Sequence, residues 1–220
     1  NFGFPDEETF TLTQGGTYTL VIEGAASNTD AADVAFTMNV RPVVESTPQA
    51  LSFNTLVSDS ISVAGEQDTY TFSLTERHLF YFDSFNNTFD LTWTLAGPNG
   101  IEIESQRFAS SELSTDILNL EAGDYTLTID GETDFIGDYQ FQVLDLTAAT
   151  PIIPGTAFSD ALSSPRETKV YTVDVTVGQQ LYFDVQDNAD VYLRLLDPVG
   201  QEAFNSSWIG SGIDITTPNL

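Results

Sequence analysis

The side chains able to do chemistry in this 220-residue chain are mostly carboxylates: 33 Asp and Glu stand against 6 Lys and Arg, with one histidine and no cysteine. The imidazole, His78 in "TERHLFYF", is the one group whose ordinary pKa suits acid–base work near neutrality. Its counterpart in an internal repeat is Gln179, and a base used by both copies is not expected to become glutamine in one of them. His78 is therefore read as a turn residue. Neither a G-x-S-x-G elbow nor a Cys/His pair occurs, which leaves nucleophilic catalysis without apparatus. Acid pairs are too frequent to single out a glycosidase pair. The repeat-related Asp83 and Asp184 are expected to face solvent at strand ends. The chain reads as non-enzymatic.

Calcium is the better use of these acids, because it takes about six to eight oxygens from carboxylates, amides and carbonyls. Two clusters have the composition: Asp184, Asp187, Asn188 and Asp190 in "FDVQDNAD", and Asp130, Glu132, Asp134 and Asp138 in "IDGETDFIGD". Neither follows the EF-hand spacing, and the alternative for each is a solvated acidic loop. Zinc, with no thiolate and one imidazole, is disfavoured. Trp93 alternates in phase with Leu91 and Leu95 and belongs to a core. Trp208, near Gly210 and Gly212, is either an exposed platform for a sugar or a buried residue of an interrupted domain.

The elements that must position these groups are strands. "YTFSL", "LTWTL", "YTLTI" and "YQFQV" alternate apolar and polar residues, so each has a core face and a wet face. "LFYFD" (79–83) is apolar on both faces, as in a strand covered from each side. Gly-Pro-Asn-Gly at 97–100 and Asp-Pro-Val-Gly at 197–200 mark reversals. No helical stripe is visible. Aromatic content of 12% and hydrophobic content of 41% argue against disorder despite a net charge of −27. The same charge makes nucleic acid and anionic membranes poor partners.

The strands repeat. Tyr70 returns as Tyr171 and Pro98 as Pro198, while "GTYTLVIEG" from Gly16 returns as "GDYTLTIDG" from Gly123. The order is out of phase with the chain, giving a C-terminal half-repeat at 1–43, a complete repeat at 44–148 and an N-terminal half-repeat at 149–220. Tyr70 and Tyr171, Phe82 and Phe183, and Tyr18 and Tyr125 are expected at equivalent buried or half-buried sites. The fold expected is all-β: tandem antiparallel sandwiches of jelly-roll or immunoglobulin-like type, one intact and one split.

At "DTYTFSL", "LFYFD", "GPNG" and "AGDYTLTIDG…GDYQFQVLDL", and again at "KVYTVDV", "QLYFDV", "LLDPVG" and "TQGGTYTLVIEG", the sequence resembles the bacterial pre-peptidase C-terminal domain family. That resemblance implies a secreted β-sandwich serving as an accessory, binding or spacer module, and it carries over no catalytic residue. Half-sandwiches left alone would expose edges and apolar faces. Residues 1–43 are thus expected to complete 149–220, with Tyr18, Leu20 and Ile22 packing on Val173, Phe183 and Leu195. Three routes are open: complementation between chains, a longer covalent array, or closure within one chain. The expectation is a secreted or cell-surface fibre or stalk whose partners are copies of itself. A calcium-dependent adhesin or carbohydrate-binding module is second, and an accessory domain of a secreted hydrolase third.

Overall fold

In the computed structural model, residues 12–24, 35–43, 46–111, 117–184, 191–204, 208–209 and 215–216 are described. Between them run 17 strands and two short 3-10 turns. Nine strands fall in the complete repeat: β1 (Gln49–Ala50), β2 (Val57–Ile61), β3 (Gln67–Leu74), β4 (His78–Ser84), β5 (Leu91–Gly97), β6 (Gly100–Arg107), β7 (Leu118–Leu120), β8 (Gly123–Gly131) and β9 (Gly137–Asp145). They form a five-stranded sheet in the order β1-β3-β8-β5-β6 and a four-stranded sheet in the order β2-β9-β4-β7. All pairings are antiparallel except the two-residue edge β1, which runs parallel to β3. The sandwich expected from the alternation is present.

Strands β8 and β9 are central, each hydrogen-bonded to two neighbours. Along β8, Tyr125, Leu127 and Ile129 are buried and the residues between them are not. Tyr139, Phe141 and Val143 do the same on β9. The inner faces meet in an aromatic stack. Phe82 lies 4.2 Å from Trp93 and 5.1 Å from Phe141, both nearly parallel, and the Trp93 Nε1–H donates to Ser111 Oγ at 2.7 Å. Buried polar groups between the sheets are paired as well. The Tyr70 and Tyr139 hydroxyls are 2.7 Å apart, and Tyr139 donates to Asp68 Oδ2 at 2.7 Å. Burial pushes the Tyr70 phenol up to about 12.

The third segment carries β10 (Thr150–Ile152), β11 (Tyr171–Val173), β12 (Tyr182–Phe183), β13 (Val191–Tyr192), β14 (Leu195–Leu196), β15 (Glu202–Phe204), β16 (Trp208–Ile209) and β17 (Ile215–Thr216). Its pairings reproduce those of the complete repeat at equivalent residues. Thr150 pairs with Tyr171 in parallel, as Gln49 does with Tyr70. Tyr192 pairs with Trp208 as Thr92 does with Arg107, and Leu195 with Phe204 as Leu95 does with Ile103. β12 also pairs with a later strand, β17, though at Tyr182 and Phe183, whose counterparts Tyr81 and Phe82 lie just beyond the β4–β7 pairs. The turn before the third strand is also copied: Glu66 Oε2 accepts from Ser62 N and Oγ, and Glu167 Oε2 from Ser163 N and Oγ.

Phe82 is 1% exposed at the centre of the aromatic stack, so Phe82→Ala removes a ring the fold cannot close over. A loss of about 3–5 kcal/mol in urea unfolding is expected. Phe89→Ala, at an exposed ring, should cost well under half of that.

Candidate assembly site

His78 opens β4 and is not in a turn. Its Nδ1 lies 3.1 Å from Asp145 Oδ2 and 3.2 Å from Thr147 Oγ1, and its ring stacks on Phe80. These contacts tie β4 to the segment leading into β10, a structural task. The outward face of β4 carries the larger correction. Asp83, expected in solvent, is fully buried, while its counterpart Asp184 is exposed. Strand pleating sends Phe80 and Phe82 into the core and turns Leu79, Tyr81 and Asp83 outward, where the third segment covers them.

Four contacts define that cover. Asp83 Oδ2 accepts from Thr168 N at 3.0 Å and from Gln142 Nε2 at 2.7 Å. Arg166 Nε donates to Ser84 O at 3.2 Å, and the Arg194 guanidinium lies 5.9 Å from the centre of the Tyr81 ring. Gly200, at φ +86, approaches Leu79 so closely that an added Cβ would sit 3.3 Å from its Cδ2. The positive φ favours glycine there, and the close leucine adds to it. Asp83 Oδ1 has no hydrogen-bond partner, and burial raises the carboxyl above its usual range, partly offset by Gln142 and Thr168. The both-faces-apolar pattern of "LFYFD" was the sequence signal for this cover. The partners of that face were not legible, because Thr168 acts through its backbone.

The acidic cluster at 130–138 does not gather. Asp130 accepts from Gln67 Nε2 at 2.9 Å, Glu132 pairs with Arg107 at 3.2 Å, and Asp134 lies in the turn after β8. Asp138 lines a different place, an open polar depression of about 500 Å³ with Ser58, Asp59, Ser60, Asn86 and Gln140. Among the described residues no three acids, histidines or cysteines stand where one metal ion would be held. Of the second cluster only Asp184 is described; Asp187, Asn188 and Asp190 lie outside the described residues, as does the Trp208 side chain. Trp93 is a fully buried core residue.

The expected assembly residues fall into two groups. Val173, Phe183 and Leu195 are half-buried in the third segment. Tyr18, Leu20 and Ile22 belong to no strand and are exposed. Tyr18 is 55% exposed where its counterpart Tyr125 is 2% exposed, so its burial is not realised within this chain. Leu12, Val21, Phe36, Met38 and Val40 are exposed alongside it.

No protein family matches the sequence, and no curated protein does. Among solved structures the chain is similar to the pre-peptidase C-terminal domain of a collagenase from Bacillus anthracis, at 19% identity over 48% of this chain and 99% of that one, with a TM-score of 0.37. It is also similar to PliG of Salmonella Typhimurium, a periplasmic inhibitor of g-type lysozyme, at 16% identity over 46% and 99%, with a TM-score of 0.38. A mutant of the Escherichia coli PliG gives 17% identity over 44% and 96%, with a TM-score of 0.37. No helix of the described residues is long and apolar enough to cross a membrane.

The raised Asp83 carboxyl sets a pH signature. Because the folded state holds this proton more tightly than the unfolded chain does, its contribution to stability is full below about pH 3.9 and is lost as pH rises through the folded value. Urea midpoints measured from pH 4 to 7 should therefore fall for the natural protein relative to Asp83→Asn, which removes the titration. Parallel midpoints for the two proteins would show that Asp83 ionises normally.

Proposed function

We propose that this chain is a structural unit of an extracellular fibre or surface stalk, in which sandwiches follow one another head to tail. The observation that carries the reading is the duplication of strand pairing. Residues 150–216 repeat the β1–β3 and β5–β6 pairings at equivalent residues and add a β12–β17 pair, and they cap the outward face of β4 in the complete sandwich. A sandwich that seats its successor on its own sheet face propagates in one direction. Such heterologous contacts give open filaments unless the rotation closes a ring. Junctions arise by complementation between half-domains or by covalent tandem repetition.

The chemistry of the side chains is consistent with a mechanical role. The lone imidazole is engaged in the His78–Asp145–Thr147 group, and the buried Asp83 accepts hydrogen bonds at a junction. A second reading, a calcium-dependent adhesin or carbohydrate-binding module, is supported by the polar depression around Asp59 and Asp138. Its hydroxyls, amides and carboxylates match what sugar hydroxyls or a hard cation would use.

Electron microscopy of the purified 220-residue protein at physiological salt should show fibres one sandwich wide. Deleting residues 1–43 should abolish them and leave the 44–148 sandwich folded by circular dichroism. Dispersed particles from the full chain would remove the fibre reading. For the second reading, millimolar calcium should raise the melting temperature over a chelated sample at equal ionic strength, by mass action on the native state. An unchanged melting temperature would remove calcium from it.

A further inference from the structure

The turn before β3 and its counterpart before β11 are built in two ways. In the complete sandwich Glu66 N donates to Val63 O at 3.1 Å, and Gly65, at the third place of the turn, has φ +82, a conformation that favours glycine. In the third segment Glu167 N donates to Ser164 O at 3.1 Å, but Pro165 and Arg166 fill the two middle places and Arg166 keeps a negative φ. That change of turn admits a long side chain. Arg166 uses it to reach β4, where its Nε donates to Ser84 O at 3.2 Å. The second anchor differs between the copies as well. Arg194 lies over Tyr81, whereas its counterpart Thr94 is turned to its own sheet, its Oγ1 accepting from Ser105 N at 3.0 Å.

We infer that the outward face of β4 is a selective seat: it holds a module with arginines at the places of Arg166 and Arg194, and it does not hold a second copy of the complete sandwich. The selectivity follows from contacts within this chain. Its consequence, that a sandwich of one kind is followed by one of the other kind, rests on the fibre reading.

The remaining contacts of the seat do not discriminate. Thr168 reaches Asp83 through its backbone N–H, which every residue but proline offers. Gly200 has a glycine, Gly100, as its counterpart. Discrimination therefore falls to the arginines. A guanidinium donates from a planar fork and lies over an aromatic ring, two tasks that neither glycine nor threonine performs. Glu202 Oε1 lies 2.8 Å from Arg194 Nε, an ion pair that keeps the guanidinium in place over Tyr81. A complete sandwich in the same seat would bring Gly65 and Thr94, losing the bond to Ser84 O and the cation over the ring. Ser84 and Tyr81 are buried beneath the cover, so water would not make up the loss.

The use of cations points the same way. The chain has 6 Lys and Arg, and two of them stand on this one seat. The arginines of the complete sandwich are committed elsewhere: Arg77 donates to Asn119 Oδ1, and Arg107 pairs with Glu132 at 3.2 Å. On the receiving side, Tyr81 and Asp83 recur in the sequence as Tyr182 and Asp184. The copies thus share the pattern of acceptors and differ in the anchors, so the anchors decide which module is held.

The chain has no cysteine, so a single thiol from Leu79→Cys, beneath Gly200, reports the state of the seat without background. All variants are made in this full-length background, and the rate of maleimide labelling is measured. It should be slow where the seat residues are natural. Pro165→Ala/Arg166→Gly/Arg194→Thr gives the third segment the residues that the complete copy has there, Ala64, Gly65 and Thr94, and should speed labelling roughly ten-fold by opening the cover. Asp174→Ser/Val177→Glu, a like exchange at exposed positions outside the seat, should leave the rate slow. Amide exchange at Tyr171–Val173 should be unchanged throughout, because the β10–β11 pairing does not use the anchors. Slow labelling after the seat exchange, or fast labelling in the unexchanged or control protein, would overturn the inference. So would loss of the Tyr171–Val173 protection together with the seat, since the anchors would then hold the segment together and not choose its place. Micrographs of the natural protein separate this from the fibre reading: dispersed particles beside the expected rates defeat the fibre alone, and fibres beside equal rates defeat the seat alone.

Discussion

Every feature of this protein depends on the rule that a central strand must be hydrogen-bonded along both edges. β8 and β9 satisfy it in the complete sandwich, and their inward faces supply Tyr125, Leu127, Ile129, Tyr139, Phe141 and Val143 to the core. An unpaired backbone edge buried from water costs free energy, and an exposed one invites another strand. Among the described residues, the third segment forms two-stranded ribbons of two or three residues per strand, a length that is marginal by itself in water. The same rule explains why residues 12–24, which have the alternation of β8, form no strand within the chain: alternation specifies a face, and pairing needs a partner.

The junction over β4 shows a different balance. Its residues are few and mixed in character: an Asp held by a backbone amide, an Arg donating to a carbonyl, a guanidinium over a tyrosine ring and a glycine against a leucine. Such contacts fix orientation more than they supply stability, since a carboxylate buried with one oxygen unpartnered offsets part of what the hydrogen bonds contribute. An array held by junctions of this kind would take its stiffness from orientation and its cohesion from the completed cores. In such an array apolar burial would also have to overcome self-repulsion, because each copy would add a net charge of −27. Screening at physiological salt confines that repulsion to about 8 Å.

How the acids are spent follows from the same geometry. Asp68 and Asp83 are buried and bonded; Glu66 and Glu167 cap equivalent turns, and their hydrogen bonds hold them below the usual range against a desolvation that works the other way. Asp160 is held well below the ordinary carboxylate range by Lys169 and the Tyr171 hydroxyl, which it accepts at 2.7 and 2.6 Å. Several acids that look like loop ligands in one dimension are thus structural acceptors.

The sequence by itself determined the fold class and the equivalences between copies. Period-two alternation, glycine and proline at the reversals, and the return of Tyr70 as Tyr171 and of Gly123 as Gly16 are local facts, and they need no knowledge of neighbours. The apolar doubling of "LFYFD" even announced a second cover on β4. Only the tertiary structure decided what supplies that cover, that Asp83 is buried beneath it, that His78 bonds Asp145 and Thr147, and that Asp130 and Glu132 turn to separate partners. Those outcomes join residues far apart in the chain, several through backbone groups that carry no residue-specific signal, so composition and spacing could not reveal them. That the ribbons of 150–216 copy pairings of the complete repeat was likewise visible only once both sets of pairings could be compared.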